Sequence, residues 1–281
     1  MSNSVSRSVS RISSLLKCFT QDEPELGISE ISRKIDLPKS TVHRIISALA
    51  KEGFIVRNEE TEKYTIGPEL YIIGSIYASV TNILTAARPV MKALNELTGE
   101  AVVLSVLDKK YVRIITHEQP EYYFRYVVPI GHMRPAYASA MGRAMLSDLS
   151  DEEIDKLFPE EELKPVTSKT VSTKKELKRL LEQVRKTGIS YNPEGMHEGV
   201  YGIAAAIRDS NGSAVAAMAL LVPIFMINPA KLKLLGDLAK LGARLISYRL
   251  GYQDADTSIR SIDDLRSWWE KSQAKSSALS P

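Results

Sequence analysis

The residues best suited to chemistry are Lys39, Ser40, Thr41, His43, Arg44, Ser47, Lys51 and Arg57, and Glu52 is the first carboxylate within that run. Hydroxyl, imidazole, guanidinium and ammonium groups hydrogen-bond to base edges and phosphate oxygens, whereas carboxylates are repelled by phosphate. The chemistry available here is therefore recognition of duplex DNA, without bond-making. Thr41, His43, Arg44 and Ser47 are expected to reach bases or nearby phosphates. Lys39, Ser40, Lys51 and Arg57 mainly position the protein, and Arg11 is as well placed for solvent as for the DNA backbone. A merely solvated helix usually mixes both signs of charge; this one excludes one of them.

Such groups need a scaffold that points them one way. Val42, Ile45, Ile46 and Leu49 recur at the i, i+3, i+4, i+7 spacing of an amphipathic helix, running from Lys39 or Ser40 to Glu52. Gly53 closes it at a position that favours a left-handed residue. Upstream, Ile28, Ile31 and Ile35 mark a short helix, and Asp36-Leu37-Pro38 breaks it because a residue before proline is pushed out of the α region. Together they read as a helix-turn-helix. Phe54–Arg57 and Lys63–Gly67 around the turn 58–62 read as a hairpin, the wing of a winged helix, with an acidic tip that stays off phosphate. A further helix over 8–19 buries Val9, Ile12, Leu15, Leu16 and Phe19, and 21–25 is a polar loop.

A chain of 281 residues suits two domains, and 44% hydrophobic with 25% charged residues is ordinary for a globular protein. The net charge of +3 says little about nucleic acid. Locally the balance differs: residues 29–57 hold Arg33, Lys34, Lys39, Arg44, Lys51 and Arg57 against Glu30, Asp36 and Glu52. One cysteine, Cys18, excludes an internal disulfide, fits a reducing compartment and reads as packing. No run of about eighteen apolar residues appears, so a soluble, cytoplasmic protein without membrane contact is expected.

Pro68 opens a helix that is apolar around much of its circumference and needs a cover. It reads as a linker helix (68–85) paired with a second copy. A helix from Thr85 to Thr98 follows, then strands at 101–107, 111–117 and 122–128. Helices are expected at 138–149, 151–157 and 173–187, strands at 199–208 and 214–222, and a long helix at 229–250. Antiparallel strands with grouped helices give an α+β sensor-type domain over 86–252, behind a DNA-binding domain at 1–67. Residues 253–281 read as a polar tail with a short helix around 262–269.

The order and spacing of four stretches resemble the IclR family of transcriptional regulators over roughly residues 5–252. They are Ser8-Val9-Ser10-Arg11, Leu37–Arg44, Pro129-Ile130-Gly131 with Ala138–Ala144, and Gly199–Asp209. The resemblance implies a winged helix-turn-helix joined to a GAF-like effector domain, a dimer or dimer of dimers on an operator. It places the effector at Ser139, Ala140, Met141 and Gly142, where backbone N–H groups at a helix start suit an anion, the alternative being that small residues there merely allow close packing, and at Asn192, Gly202, Ala219 and Leu221. Asn192 stands where the family commonly has aspartate, Gly202 where it has cysteine, and Ala219 and Leu221 where it has hydroxyl residues. That loss of polarity favours an organic acid with a larger apolar or aromatic body.

An enzyme would need other signals. There is no Gly-x-Ser-x-Gly elbow, phosphate loop or His-Glu-x-x-His motif, and Ser139 has no base beside it in sequence. His117, His132 and His197 are scattered without close ligand spacing, so no metal, cofactor or catalytic residue is assigned. The competing reading is a metal-dependent or enzyme-like second domain with accessory DNA binding.

Overall fold

The computed structural model describes residues 2–20, 22–80, 82–119, 129–253 and 258–278, with side chains except at 2–6, 76–80, 82 and 275–278. Its internal contacts divide the chain into Met1–Thr81 and Asn82–Pro281, a division that falls inside the segment expected to be a linker.

The first unit contains α1 (Ser2–Leu16), β1 (Glu25–Leu26), α2 (Ile28–Ile35), α3 (Lys39–Lys51), β2 (Ile55–Arg57), β3 (Tyr64–Ile66) and α4 (Pro68–Val80). The Glu30 carboxylate accepts the Gly27 N–H at 2.6 Å and fixes the start of α2. Asp36, with φ of 51°, ends α2 in the left-handed region, and Pro38 then leads into α3. Ile31, Val42, Ile46 and Leu49 interlock with Leu15, Leu26 and Ile55 in one core, each side chain contributing about 1.5–3 kcal/mol by burial. The sheet has the order β1-β3-β2. Glu25, expected in a loop, is instead paired with Thr65, because burial of Leu26 brings the segment onto the open edge of β3.

The second unit begins with α5 (Asn82–Thr98), β4 (Ala101–Asp108), β5 (Tyr111–Glu118), β6 (Met133–Pro135), a 3-10 turn (Ala136–Ala138) and α6 (Ala140–Leu146). It continues through α7 (Asp151–Leu157), α8 (Lys174–Thr187), β7 (Ser190–Pro193), β8 (Val200–Arg208), β9 (Ala214–Pro223), α9 (Pro229–Arg249) and α10 (Ile262–Ala278). The strands form one antiparallel sheet ordered β6-β5-β4-β9-β8-β7. Alternation along β8 and β9 separates two cores: Ile203, Ala205, Ile207, Met218 and Leu220 face α5, α9 and α10, while Ala204, Ala217 and Ala219 face α6. The α6 face is built of small residues, which lets that helix approach the sheet closely. The strand expected at 122–128 lies outside the described residues.

Two expectations change here. The helix expected over 138–149 is a 3-10 turn followed by α6, divided at Ser139, whose backbone is extended. The tail also forms more structure than its polarity implies. Ile259 and Leu265 are buried, Trp268 and Trp269 pack on the same core, and Arg266 pairs with Glu96 at 3.1 Å.

Candidate nucleic-acid interface and effector cavity

On α3 the helical period puts Ser40, Arg44, Ser47 and Lys51 opposite the buried stripe of Val42, Ile46 and Leu49, with Thr41 and His43 on either side. All are exposed except Thr41, which is half-buried. Pro38 supplies no side-chain cap and the first turn carries no acid, so the positive end of the helix dipole is left open to an anion. Among the described residues the side chains of Lys39, His43, Arg44 and Lys51 make no ion pair. Neighbouring cations are already engaged: Arg57 with Glu62 at 2.9 Å, Lys63 with Glu30 at 3.3 Å. Both pairs are exposed and weak, so Arg57 is available only by exchanging Glu62 for phosphate. Lys63 on the wing is likewise held only by its exposed pair with Glu30, and Tyr64 packs on the core of this unit. Arg11 is exposed on α1.

In the second unit, Ser139, Ala140, Met141, Asn192, Gly202, Ala219 and Leu221 line one cavity. Gly142 does not line it. Ser139 is the N-cap of α6, and its Oγ accepts the Gly142 N–H at 2.9 Å, so that donor is taken by the fold. Gly142 serves close packing instead: a Cβ there would lie 2.1 Å from the Ala136 carbonyl oxygen. Asn192 is buried and donates through Nδ2 to the Ala138 carbonyl at 2.9 Å, tying β7 to the 3-10 turn.

The wall also contains Arg134 and Met196, which no sequence signal singles out, and His197, weighed above only as a metal ligand. Arg134 sits on β6 opposite Val112, and its Nε is buried without a hydrogen-bond partner. A guanidinium N–H left so is costly until an anion meets it. A lone arginine in a three-residue strand carries no motif, which explains the omission. Beyond the wall, Arg143 of α6 is buried and donates to the Tyr191 carbonyl at 3.2 Å. Desolvation pulls its pKa down to about 10, so it remains a cation at neutral pH. The cavity encloses about 40 Å³, space for roughly three waters.

The histidines do not converge. His197 lines the cavity while His117 bonds Gln119. Among the described residues no group of three or more His, Cys, Asp or Glu is placed to hold a metal. None of the described helices is long and apolar enough to cross a membrane.

Two family models match: the IclR helix-turn-helix domain over residues 8–59, and the bacterial transcriptional regulator IclR C-terminal domain over residues 75–248. The chain is 28% identical over 248 residues to the HTH-type transcriptional regulator KdgR of Escherichia coli, covering 86% of this chain and 94% of that one. It is 30% identical over 225 residues to the HTH-type transcriptional repressor AllR of the same organism, covering 80% and 83%. In fold it is similar, with a TM-score of 0.76 and 23% identity over 86% of this chain and 98% of the other, to an IclR homolog from Microbacterium hydrocarbonoxydans crystallised with 4-hydroxybenzoate. Matched across both domains, the chain belongs to the IclR family and is a DNA-binding transcriptional regulator.

Proposed function

We propose that the protein works in the cytoplasm as a repressor that reads a palindromic operator with α3 and is controlled by an organic acid. The observation that carries the DNA half is the outward face of α3, where Ser40, Arg44, Ser47 and Lys51 point away from the core beside an uncapped helix start. Arg44 is the base-reading residue of this set. Lys39, Lys51 and, after release from Glu62, Arg57 hold phosphate. The repressor assignment rests on the AllR-type relatives.

For the effector half, Arg134 receives the carboxylate at its unpartnered Nε, and Ser139 and Asn192 border it. Val112, Ile114, Met141, Ala219 and Leu221 accept the apolar body. The ligand named for the structural neighbour, 4-hydroxybenzoate, is a molecule of this kind. On α4, Tyr71, Ile72 and Ile73 are exposed, with Tyr71 at 78%. A second copy of the chain covers them, so the active form is a homodimer or a dimer of dimers. Effector binding then acts by favouring one of two arrangements of the paired DNA-binding domains.

Operator selection from genomic DNA, followed by binding at rising salt, tests this reading. A palindromic motif that persists, and is lost with Arg44→Ala while circular dichroism is unchanged, supports it. Binding that falls uniformly with salt and enriches no motif would leave only phosphate attraction.

A further inference from the structure

The effector cavity encloses about 40 Å³, so an organic acid with a ring enters only if part of the wall moves. Most of that wall is sheet or helix. Met196 and His197 stand instead on the loop 194–199 between β7 and β8. Both ends of this loop are left-handed, Glu194 with φ of 56° and Gly199 with φ of 77°. Its base is closed: the Glu194 N–H donates to the Val200 carbonyl at 3.0 Å, and the Gly199 N–H to the Glu194 Oε1 at 2.8 Å. Gly195 is buried, and a Cβ there would lie 2.2 Å from the Asn192 Oδ1, so the missing side chain lets the loop lie down on the cavity wall.

Two threonines that do not line the cavity hold this loop. Thr167 Oγ1 donates to the Glu194 carbonyl at 2.8 Å, and Thr170 Oγ1 to the Gly195 carbonyl at 2.7 Å. Their own turn is anchored elsewhere: Leu163 and Val171 are buried in the core beneath α6, and the Leu163 N–H donates to the Ser172 carbonyl at 2.8 Å. The simplest explanation is that the hydroxyls merely close that turn, and it accounts for what they accept. Thr170 Oγ1 takes the N–H groups of Val166 and Thr167 at 3.0 and 2.8 Å, and Thr167 Oγ1 takes that of Lys169 at 3.1 Å. It does not account for what they give. Each hydroxyl has one proton, and both cross to the loop over distances shorter than the 3.3 Å between the two oxygens. Bonds of this kind have a small net free energy, enough to hold a short loop and little enough to release it.

We propose that residues 194–199 form a hinged lid over the effector cavity, and that Thr167 and Thr170 are its latch, positioning Met196 and His197 against the ligand. The inference rests on the effector reading of that cavity. Opening turns about Glu194 and Gly199 and leaves the pairing of β7 with β8 intact. A ligand beneath the closed lid leaves only when the latch releases, so the two hydroxyls tune affinity without touching the ligand.

Amide-resolved hydrogen exchange on the full-length protein tests the latch with no ligand present. Thr170→Val keeps the shape of the side chain and removes its hydroxyl. It should speed exchange at the Glu194 and Gly199 amides about three- to tenfold and leave β8 and β9 at wild-type rates, and Thr170→Ser should restore protection. Should Thr170→Val fold poorly, Thr167→Val, at a half-buried position, is expected to act in the same way. Calorimetry with 4-hydroxybenzoate then reads the consequence: affinity should fall by a similar factor in the valine variants and be retained in Thr170→Ser. Wild-type exchange in both valine variants, acceleration spread evenly over β8 and β9, or no rescue by serine would overturn the latch. Failure of the wild-type protein to bind 4-hydroxybenzoate, with exchange as expected, would count against the effector assignment while supporting the latch.

Discussion

Gly142→Ala should cost far more than its chemistry implies. Gly142 lies in α6 with an ordinary helical backbone, so alanine meets no conformational penalty there. On propensity alone the change should stabilise the helix by about 1 kcal/mol. Against this, the new Cβ would fall 2.1 Å from the Ala136 oxygen, 2.4 Å from its Cα and 2.5 Å from its carbonyl carbon. These are backbone atoms, so no side-chain rotation relieves the overlap. Restoring even a 3.0 Å separation from the oxygen requires α6 to retreat by 3.0 − 2.1 = 0.9 Å. That retreat would strip contacts from Ala140, Ala144 and Met145, all buried against the sheet. A net destabilisation of about 3 kcal/mol or more is expected, seen as a lower urea midpoint by circular dichroism. Gly202→Ala is the control: its Cβ would lie 3.2 Å from the Ala140 Cβ and otherwise make ordinary contacts. It should lose at most about 1 kcal/mol of stability while intruding on the effector cavity. If Gly142→Ala unfolds within 1 kcal/mol of wild type, the close-packing argument is wrong.

Arg44→Ala should weaken operator binding by about 1–3 kcal/mol without moving the thermal midpoint; a gel-shift titration beside a melting curve checks both. Lys231→Met removes one partner, at 2.8 Å, of the fully buried Glu100 and should lower stability in denaturant unfolding by about 1–3 kcal/mol. Removal of 253–281 should destabilise the second unit, since Leu265, Trp268 and Trp269 cover α5 and α9. Acid should loosen α10. Hydrogen bonds from the Arg260 backbone, then the Ser261 side chain, hold the Asp264 carboxyl below its ordinary 3.8. The stability it gives is therefore present above that value and is lost as pH falls through the lower, folded-state pKa. Both tryptophans of the chain lie on α10, so a red shift of their emission in that acid range reports the release, and Asp264→Asn should shift at neutral pH.

The helices of the DNA-binding domain were legible because their apolar residues keep a 3.6-residue period and their ends carry Pro38 and Gly53. Strands β4, β5, β8 and β9 could be read from runs of valine, isoleucine and alanine bounded by turns. The short strands β1, β6 and β7 could not, since two to four residues are too few to show a period and, unlike β2 and β3, they are not joined to each other by a short polar turn; tertiary pairing creates them. Helix α10 is legible in part, as a short helix around 262–269, and its packing face also carries a signal: Ile259, Ile262, Leu265 and Trp268 recur every three residues. Its lysines, serines and acids masked the stripe. At the effector cavity the sequence led to the wall around α6 but not to Arg134, and it assigned Gly142 a ligand where the fold needs its missing side chain.

That difference changes how the cavity can choose its ligand. With the Gly142 N–H held by Ser139, the start of α6 has one fewer donor for an anion, which is why the proposed reading gives charge recognition to Arg134 on β6. The remaining wall, with Gly202, Ala219 and Leu221 in place of polar side chains, selects by shape and apolarity. A space of about 40 Å³ is too small for an aromatic acid as it stands. Yet Met141 and Met196 both border it, and methionine side chains repack at little cost. In the proposed reading, entry of such an acid displaces Met141 or Met196, and Met141 belongs to α6, a helix that packs on the central strands of the sheet. An effector that needs this displacement distinguishes two arrangements of the domain, whereas one small enough to fit without it would bind and switch nothing.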